Sequence, residues 1–403
     1  NKLTRLPSLG NNLRIKQIDV SHNKLITLDK VIFNTPYKYY DFRRFDLSYN
    51  EIIEIDEYYF HKIEGLKKLN LSHNNIHVLN PKLFNKNPEL EFLNVSHNHL
   101  EWLDHSLFHG CHKTLSYLDL SYNKFKVVYS DMFKNLFKLN ILKLSHNMLE
   151  YLGDNVFYNL ICLKKLMLDH NMLKHLDSYV FTNNKELQEC YLQHNYLTDW
   201  HITYFNRFNK LKKLNLAHNQ FHRNSFNKDS FEKFNKLEEL TLIHNRLIKL
   251  PNYVFYPLVN LKYLNISHCH LGIELSADTF IHNHKLEILN ISHNQFEMIE
   301  NGIFLFTLNL RILDVSNNLL DRTCNKTLFN SLYNLKYLNI SNNKALIDYL
   351  LNFDDTLDLN VMNESWEDFY INDINYKPHV ILNKSLNYIH FYEFLKTPLE
   401  NKC

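Results

Sequence analysis

A pattern of about two dozen residues recurs down most of this 403-residue chain, and it constrains the fold more than any other feature. The segment from Leu66 to Phe84, LKKLNLSHNNIHVLNPKLF, shows it whole: Leu66, Leu69 and Leu71, then Asn74, Ile76 and Leu79, then Phe84. Residues equivalent to Asn74 are Asn23, Asn50, Asn98, Asn123, Asn147, Asn171, Asn195, Asn219, Asn245, Cys269, Asn294, Asn318 and Asn343. Their intervals are 24 or 25 residues, apart from 27 after Asn23 and 26 after Asn219. A second series keeps step ten residues behind them: Phe33, Phe60, Phe84, Phe108, Phe133, Phe157, Phe181, Phe205, Phe255, Phe304 and Phe353. A fixed period of this size means stacked copies of one supersecondary unit, not two or three separate globular cores.

Elementary stereochemistry accounts for the pattern. In an extended segment side chains alternate, so Leu69 and Leu71 face one side while Lys68, Asn70 and Ser72 face the other. One turn of 24 residues cannot bury its own leucines, but stacked turns form a parallel sheet at about 4.8 Å per strand with a continuous apolar interior. Fourteen strands would extend over about 65 Å. An Asn at the end of each strand can turn inward and both donate to and accept from loop backbone that burial would otherwise leave unpaired.

These residues resemble the leucine-rich repeat, L-x-x-L-x-L-x-x-N, in which Cys is a substitute for the Asn. The resemblance implies an α/β solenoid: a horseshoe with a concave parallel β-sheet of about 14–15 strands and a convex side of loop and 3-10 turns, along which the Phe series stacks. The 24-residue length is similar to the typical extracellular class, and the unbroken array looks like the chaoptin kind of arthropod adhesion protein or a Toll-like receptor ectodomain. Extracellular members usually end in cysteine-rich caps, and this chain shows none. The repeat array is read as residues 1–353, beginning in mid-repeat, with 354–403 a degenerate repeat or C-terminal flank covering the last open edge. Within that flank Leu357, Leu359, Val361 and Asn363 read as a degenerate strand, and Ile381, Leu382, Leu386, Ile389 and Phe391 as a further strand or a short helix.

The opening residues Asn1 to Pro7 match the second half of a repeat, which reads as the start of an excerpt from a longer chain. No stretch approaches 18 consecutive apolar residues. A formal charge of +2 gives no pull toward nucleic acid or an anionic membrane. Six cysteines are scattered singly. Cys190 replaces a strand Leu and Cys269 takes the Asn position, so both read as buried thiols. Cys111, Cys162, Cys324 and Cys403 have no assigned partners, a Cys324 to Cys403 bridge being one option. Among the glycosylation sequons, five arise from the strand motif itself at Asn70, Asn94, Asn265, Asn290 and Asn339. Asn325, Asn363 and Asn383 lie outside the regular strands and are the candidate glycan sites.

Phosphate-loop, nucleophile-elbow, H-E-x-x-H and C-x-x-C signatures do not occur, so no catalytic residue and no cofactor is assigned. Ten repeats carry His just before the Asn position: His22, His73, His97, His146, His170, His194, His218, His244, His268 and His293. Such a row invites two functional readings, metal binding by adjacent pairs and repulsion on protonation near pH 6. Its regular recurrence, with Tyr49, Tyr122, Asn317 and Asn342 in the same column, favours a structural role, and no metal site is assigned.

The outward strand positions carry the functional expectation. Four residues before the Asn position the default is Asn or Asp, but Lys143, Met167, Tyr191 and Thr241 depart from it. Two residues before it Ser holds everywhere except Asp169, Gln193, Ala217 and Ile243. Six residues before the Asn position, the same block holds Lys165, Glu189, Lys213 and Glu239. A patch mixing Tyr, Met, Ile and paired charge has the composition of a protein contact. The expected ligand patch is therefore Lys143 to Ile243, on a non-catalytic scaffold for cell-surface adhesion or receptor recognition. The partner would be a protein ligand or a same-type array on another cell, with nucleic acid excluded. An intracellular scaffold or enzyme inhibitor of the same repeat type is the alternative. Two longer repeats supply candidate contact loops, at Asn34 to Asp41 and His222 to Ser230, although a tolerated insertion explains each as well. Trp200 falls where other repeats place Leu28, Leu79, Leu103 and Leu152, and is expected in the core.

Overall fold

The computed structural model describes residues 2–6, 15–28, 42–201, 209–321, 326–343, 379–381 and 389–390. The chain divides into two compact units, Asn1–Leu197 with Thr203–Leu211, and Thr198–Ile202 with Lys212–Cys403. Each is a solenoid of stacked turns with one short strand per turn.

In the first unit the strands are Gln17–Asp19, Arg44–Asp46, Lys68–Asn70, Phe92–Asn94, Tyr117–Asp119, Ile141–Lys143, Lys165–Met167 and Glu189–Tyr191. They pair in parallel and in register, each with its neighbour in sequence. In the second unit Lys213–Asn215, Glu239–Thr241, Tyr263–Asn265, Ile288–Asn290, Ile312–Asp314 and Tyr337–Asn339 do the same. The last of these pairs in parallel with His379–Ile381, which pairs antiparallel with Ile389–His390. All fourteen strand motifs read from the sequence are strands, and the flank adds two. Leu357 to Asn363 lies outside the described residues, as do the first insertion, Asn34 to Asp41, and the sequons at Asn325, Asn363 and Asn383.

The middle residue of each of the fourteen repeat strands points inward. Leu69, Leu93, Leu118, Leu142 and Leu166 are fully buried, and Cys190 takes the same place without a gap. Burial pushes the Cys190 thiol up to about 12, so it is packed as an apolar group. Cys111, Cys162, Cys190 and Cys269 are all free thiols.

The Asn series is a hydrogen-bond ladder. Asn74 Nδ2 donates to Leu71 O at 3.0 Å and Ser72 O at 3.2 Å in its own turn, and to Leu47 O at 3.0 Å one turn earlier. Its Oδ1 accepts from Ile52 N, also one turn earlier, at 3.0 Å. Asn98, Asn123, Asn147 and Asn171 repeat the arrangement. Leu3 N donates to Asn23 Oδ1 at 3.1 Å, as Leu25 N does to Asn50 Oδ1. At Cys269 the Sγ reaches Leu242 O at 3.1 Å, and the Leu247 N–H that an Asn oxygen would receive goes instead to the Cys269 carbonyl at 3.0 Å.

The Phe series fills the opposite side, with ring centroids 5.9 Å apart for Phe60 and Phe84 and for Phe157 and Phe181. Phe231, Phe280 and Phe329 belong to it although they fall eleven or twelve residues behind their ladder positions. Phe231 and Phe280 stack on either side of Phe255, at 6.4 and 6.1 Å, and Phe329 stacks on Phe304 at 6.3 Å. Among the described residues this side is otherwise turns, with two 3-10 segments, Ala277–Phe280 and Lys326–Phe329, and short parallel pairs such as Val127–Val128 with Tyr151–Leu152. A second set of buried amides lies there. Asn87 Nδ2 donates to Phe60 O at 3.0 Å and Ile63 O at 2.8 Å, and Asn184 and Asn283 make the equivalent bonds.

Trp200 is core, as expected: it lies among Phe221, Phe226, Phe231 and Phe234, and its Nε1–H donates to Ser230 O at 3.1 Å. The second insertion is what covers it. Phe226 is buried, and Ser225 Oγ donates to Thr198 O at 2.5 Å, so this loop closes the core beside Trp200.

Candidate protein-binding face

The outward strand residues stand in register on the sheet surface, half-buried by their neighbours. In the first unit Lys143, Met167 and Tyr191 are consecutive partners across three strands, with Ile141, Lys165 and Glu189 beside them. Seven of the expected site residues thus come together: Lys143, Lys165, Met167, Asp169, Glu189, Tyr191 and Gln193. Lys213, Glu239, Thr241 and Ile243 belong to the second unit, where Lys213 pairs with Glu239 at 2.7 Å and Thr241 and Ile243 are half-exposed.

The charges of the first unit are matched on the surface. Lys165 Nζ lies 2.7 Å from Glu189 and 4.9 Å from the centroid of the Tyr191 ring, while Tyr191 OH donates to Glu189 Oε2 at 3.0 Å. One repeat group earlier the motif recurs with other residues. Lys143 Nζ lies 3.1 Å from Asp119 and 5.3 Å from the Tyr117 ring centroid, and Tyr117 OH donates to Asp119 Oδ2 at 3.0 Å. Burial works against the charge of Lys143, but its hydrogen bond with Tyr117 and the Asp119 carboxylate outweigh it, so its pKa ends above the usual value. The Tyr117 hydroxyl is pushed up, mainly by burial. The partly exposed Lys165–Glu189 pair contributes under about 1 kcal/mol to folding, while in the other pair the Asp119 carboxylate is buried. Their larger effect is to hold two tyrosine rings in fixed positions.

Sequence reasoning stopped this patch at Lys143 and so missed its other edge. Phe92 and Tyr117 stack with centroids 4.3 Å apart, and Tyr117 connects through Asp119 to Lys143. The signal was present, since Phe92 and Tyr117 occupy the same outward column as Lys165, but Asp119 matches the default of its own column and drew no notice.

The strand sequons are engaged in the fold. Asn70 Oδ1 accepts from Ser72 N and Oγ and its Nδ2 donates to Asp46, while Asn265 and Asn290 accept from Ser267 and Ser292 in the same way.

The row before the ladder has a backbone cause. His73, His97, Tyr122, His146, His170 and His194 all have φ between 52° and 54°, in the left-handed region. Asn and His are enriched there among non-glycine residues. The rings then stack: centroid separations are 3.8 Å for His73 and His97, 4.1 Å for Tyr122 and His146, and 4.0 Å for His146 and His170. In the second unit His268 stacks on His293 at 4.0 Å, and burial together with the neighbouring imidazoles lowers its pKa to about 4.

The sequence model described as Leucine rich repeat matches residues 42–100, 113–173, 161–221 and 222–271, and a second of the same description matches 282–297. The chain belongs to the leucine-rich repeat family. None of the curated proteins matches it in sequence. Among solved structures, this leucine-rich repeat chain is similar to Toll in the Drosophila Toll–Spatzle complex, with a TM-score of 0.69 and 20% identity over 81% of this chain and 50% of that one. The chain thus spans half the length of that Toll chain. It is also similar to the APL1 leucine-rich repeat domain, with a TM-score of 0.64 and 20% identity over 88% and 89% of the two chains. For FLRT2, in a complex with latrophilin 3 and Unc5D, the TM-score is 0.59 and the identity 24%, over 66% and 78%. At these identities the likeness is one of fold.

Among the described residues no helix is long and apolar enough to cross a membrane. The family is one of protein-binding scaffolds.

Proposed function

We propose that the chain recognises a protein partner through the outward sheet face of its first unit, centred on Tyr117, Lys143, Lys165, Met167 and Tyr191, at a cell surface and in adhesion or receptor recognition. The observation that carries this reading is the pair of Lys–carboxylate–Tyr clusters that fix two tyrosines beside Met167 on an accessible sheet. Rigid aromatic rings flanked by matched charge are the usual material of binding hot spots. The rest of the expected patch, Lys213, Glu239, Thr241 and Ile243, is proposed as a second contact region. Toll in its complex with Spatzle and FLRT2 in its complex with latrophilin 3 and Unc5D are proteins of this fold that bind other proteins. Glycans at Asn325, Asn363 and Asn383 accord with such a location, because the strand sequons have their side chains occupied.

The test is clustering of beads coated with the chain, alone and against cells bearing candidate ligands. The Met167→Ala, Tyr191→Ala double variant should weaken capture by more than about 1 kcal/mol, or fivefold. Unchanged capture would sink the assignment of the face. The intracellular scaffold or inhibitor is kept as a second reading because Cys111, Cys162, Cys190 and Cys269 are free thiols. Secretion of the full reading frame with endoglycosidase-sensitive glycans would decide against it.

A further inference from the structure

Asp169 is the one carboxylate in a column that holds Ser in ten of fourteen repeats. It is buried, yet no lysine or arginine is paired with it; its neighbours are a hydroxyl and imidazoles. Ser145 Oγ donates to Asp169 Oδ1 at 2.6 Å, and His170 Nδ1 stands 3.1 Å from Oδ2. His146, one turn earlier, stacks on His170. One ligand atom from each of His146, Asp169 and His170 lies within 4.8 Å of the others, and among the described residues this is the one grouping of three such donors.

We infer that His146, Asp169 and His170 form a binding site for a zinc-class divalent cation on the rim of the first unit. Two imidazoles and a carboxylate are a donor set that suits Zn²⁺, with bonds of about 2.0–2.2 Å. Tetrahedral ligands at that distance stand about 3.4 Å apart, so closing the site takes side-chain shifts on the order of 1 Å. The rings stack with their planes 15° apart, so they must swing out of the stack by tens of degrees to aim one nitrogen each at the ion, which the accessible rim permits. Ser145 orients the carboxylate from behind by occupying Oδ1, the outer-shell hydrogen bond that ligating carboxylates ordinarily have.

A further donor stands on the adjoining turn. Gln193 occupies the column of Asp169 one repeat later, the turns being joined by His170 N donating to Gln193 O at 3.0 Å. Its Oε1 is buried and has no hydrogen-bond partner. A buried amide oxygen without a partner is costly, and a cation or its bound water would satisfy it. The imidazole row elsewhere has stacking of the same kind, but the Asp169 column there holds Ser, Gln193, Ala217 or Ile243, none of them a carboxylate. The site therefore arises from a single departure from the repeat.

The experiment is titration of the full chain with Zn²⁺ by calorimetry, with Co²⁺ absorption as a second reading. One saturable equivalent, a tetrahedral Co²⁺ spectrum and a raised Tm are expected. Asp169→Ser restores the repeat default, so it folds, and it should weaken binding more than about tenfold. His146→Asn should do the same, whereas His97→Asn, two repeats away, should leave the affinity unchanged. The absence of a saturable site overturns the proposal. So does equal binding by Asp169→Ser, which would assign the metal to the imidazole row at large. Both outcomes are independent of whether a protein partner binds the sheet face.

Discussion

Replacing Asn123 by Ala separates the two halves of the ladder bond. Asn123 Nδ2 donates to Val95 O at 3.0 Å, Leu120 O at 3.1 Å and Ser121 O at 3.2 Å, and its Oδ1 accepts from Leu100 N at 3.0 Å. Each of the carbonyls has a second donor. Val95 O also receives Asn98, Leu120 O also receives Asn147, and Ser121 O receives the His97 amide. The Leu100 N–H alone loses its only partner, and Leu100 is fully buried. An orphaned buried amide costs about 1–3 kcal/mol, and partial loss at the acceptors with the vacated volume adds about 1 kcal/mol more. The expected destabilisation is therefore about 2–4 kcal/mol. Cys269→Ala is the internal control, because there the corresponding N–H already goes to a main-chain carbonyl; it should cost less than about 1.5 kcal/mol. Urea denaturation gives the energies, and native-state hydrogen exchange reads the Leu100 amide directly. A protected Leu100 amide in Asn123→Ala, or equal losses in the two variants, would refute the reasoning.

Two further outcomes follow from the packing. His73, His97 and His146 in the first unit, and His244, His268 and His293 in the second, have folded-state pKa values lowered chiefly by burial, to about 4 at His268. The unfolded chain therefore takes up protons first as pH falls below about 6.5, so stability is full above that value and declines toward pH 4. The Tm should drop between pH 7 and 5 and drop less in His244→Asn, His268→Asn; a flat profile in the parent chain would end the idea. Trp200→Phe removes the bond to Ser230 and leaves a void among four phenylalanines, at a cost of about 2 kcal/mol in urea denaturation, with faster amide exchange confined to His222 to Ser230. A loss under about 0.5 kcal/mol would show that the insertion does not depend on the indole.

Strand positions were legible because two constraints coincide at each turn, the alternation of leucines and the ladder Asn. Where only one operates, the reading slips. Phe231, Phe280 and Phe329 were passed over because the spacing from ladder to Phe runs through loops whose length is free, and only the end point is held by packing. The row of histidines was visible but unexplained, since a sequence does not display the sign of φ. The proposed contact face was legible as a departure from the default, but its second tyrosine was not. Tyr117 acquires its meaning from Asp119 and from Lys143 of the following strand, and pairings across turns have no mark in either residue alone. The same limit hid the relation of Asp169 to His146, which are 23 residues apart and stand on adjoining turns.

The ladder also has a direction. Every amide from Asn74 to Asn171 bonds its own turn and the one before it, never the one after. A ribosome delivers the chain in the same order, amino end first. Each newly made Asn then finds its acceptors already in place, and the turn that carries it meets the N–H groups its predecessor still has open, as Asn98 Oδ1 and the Asn94, Ser96 and His97 carbonyls do for Ile76, Leu71, His73 and Asn74. At any length of nascent chain, only the newest turn has its buried backbone unmet, so this protein can wind itself up at the pace of its own synthesis.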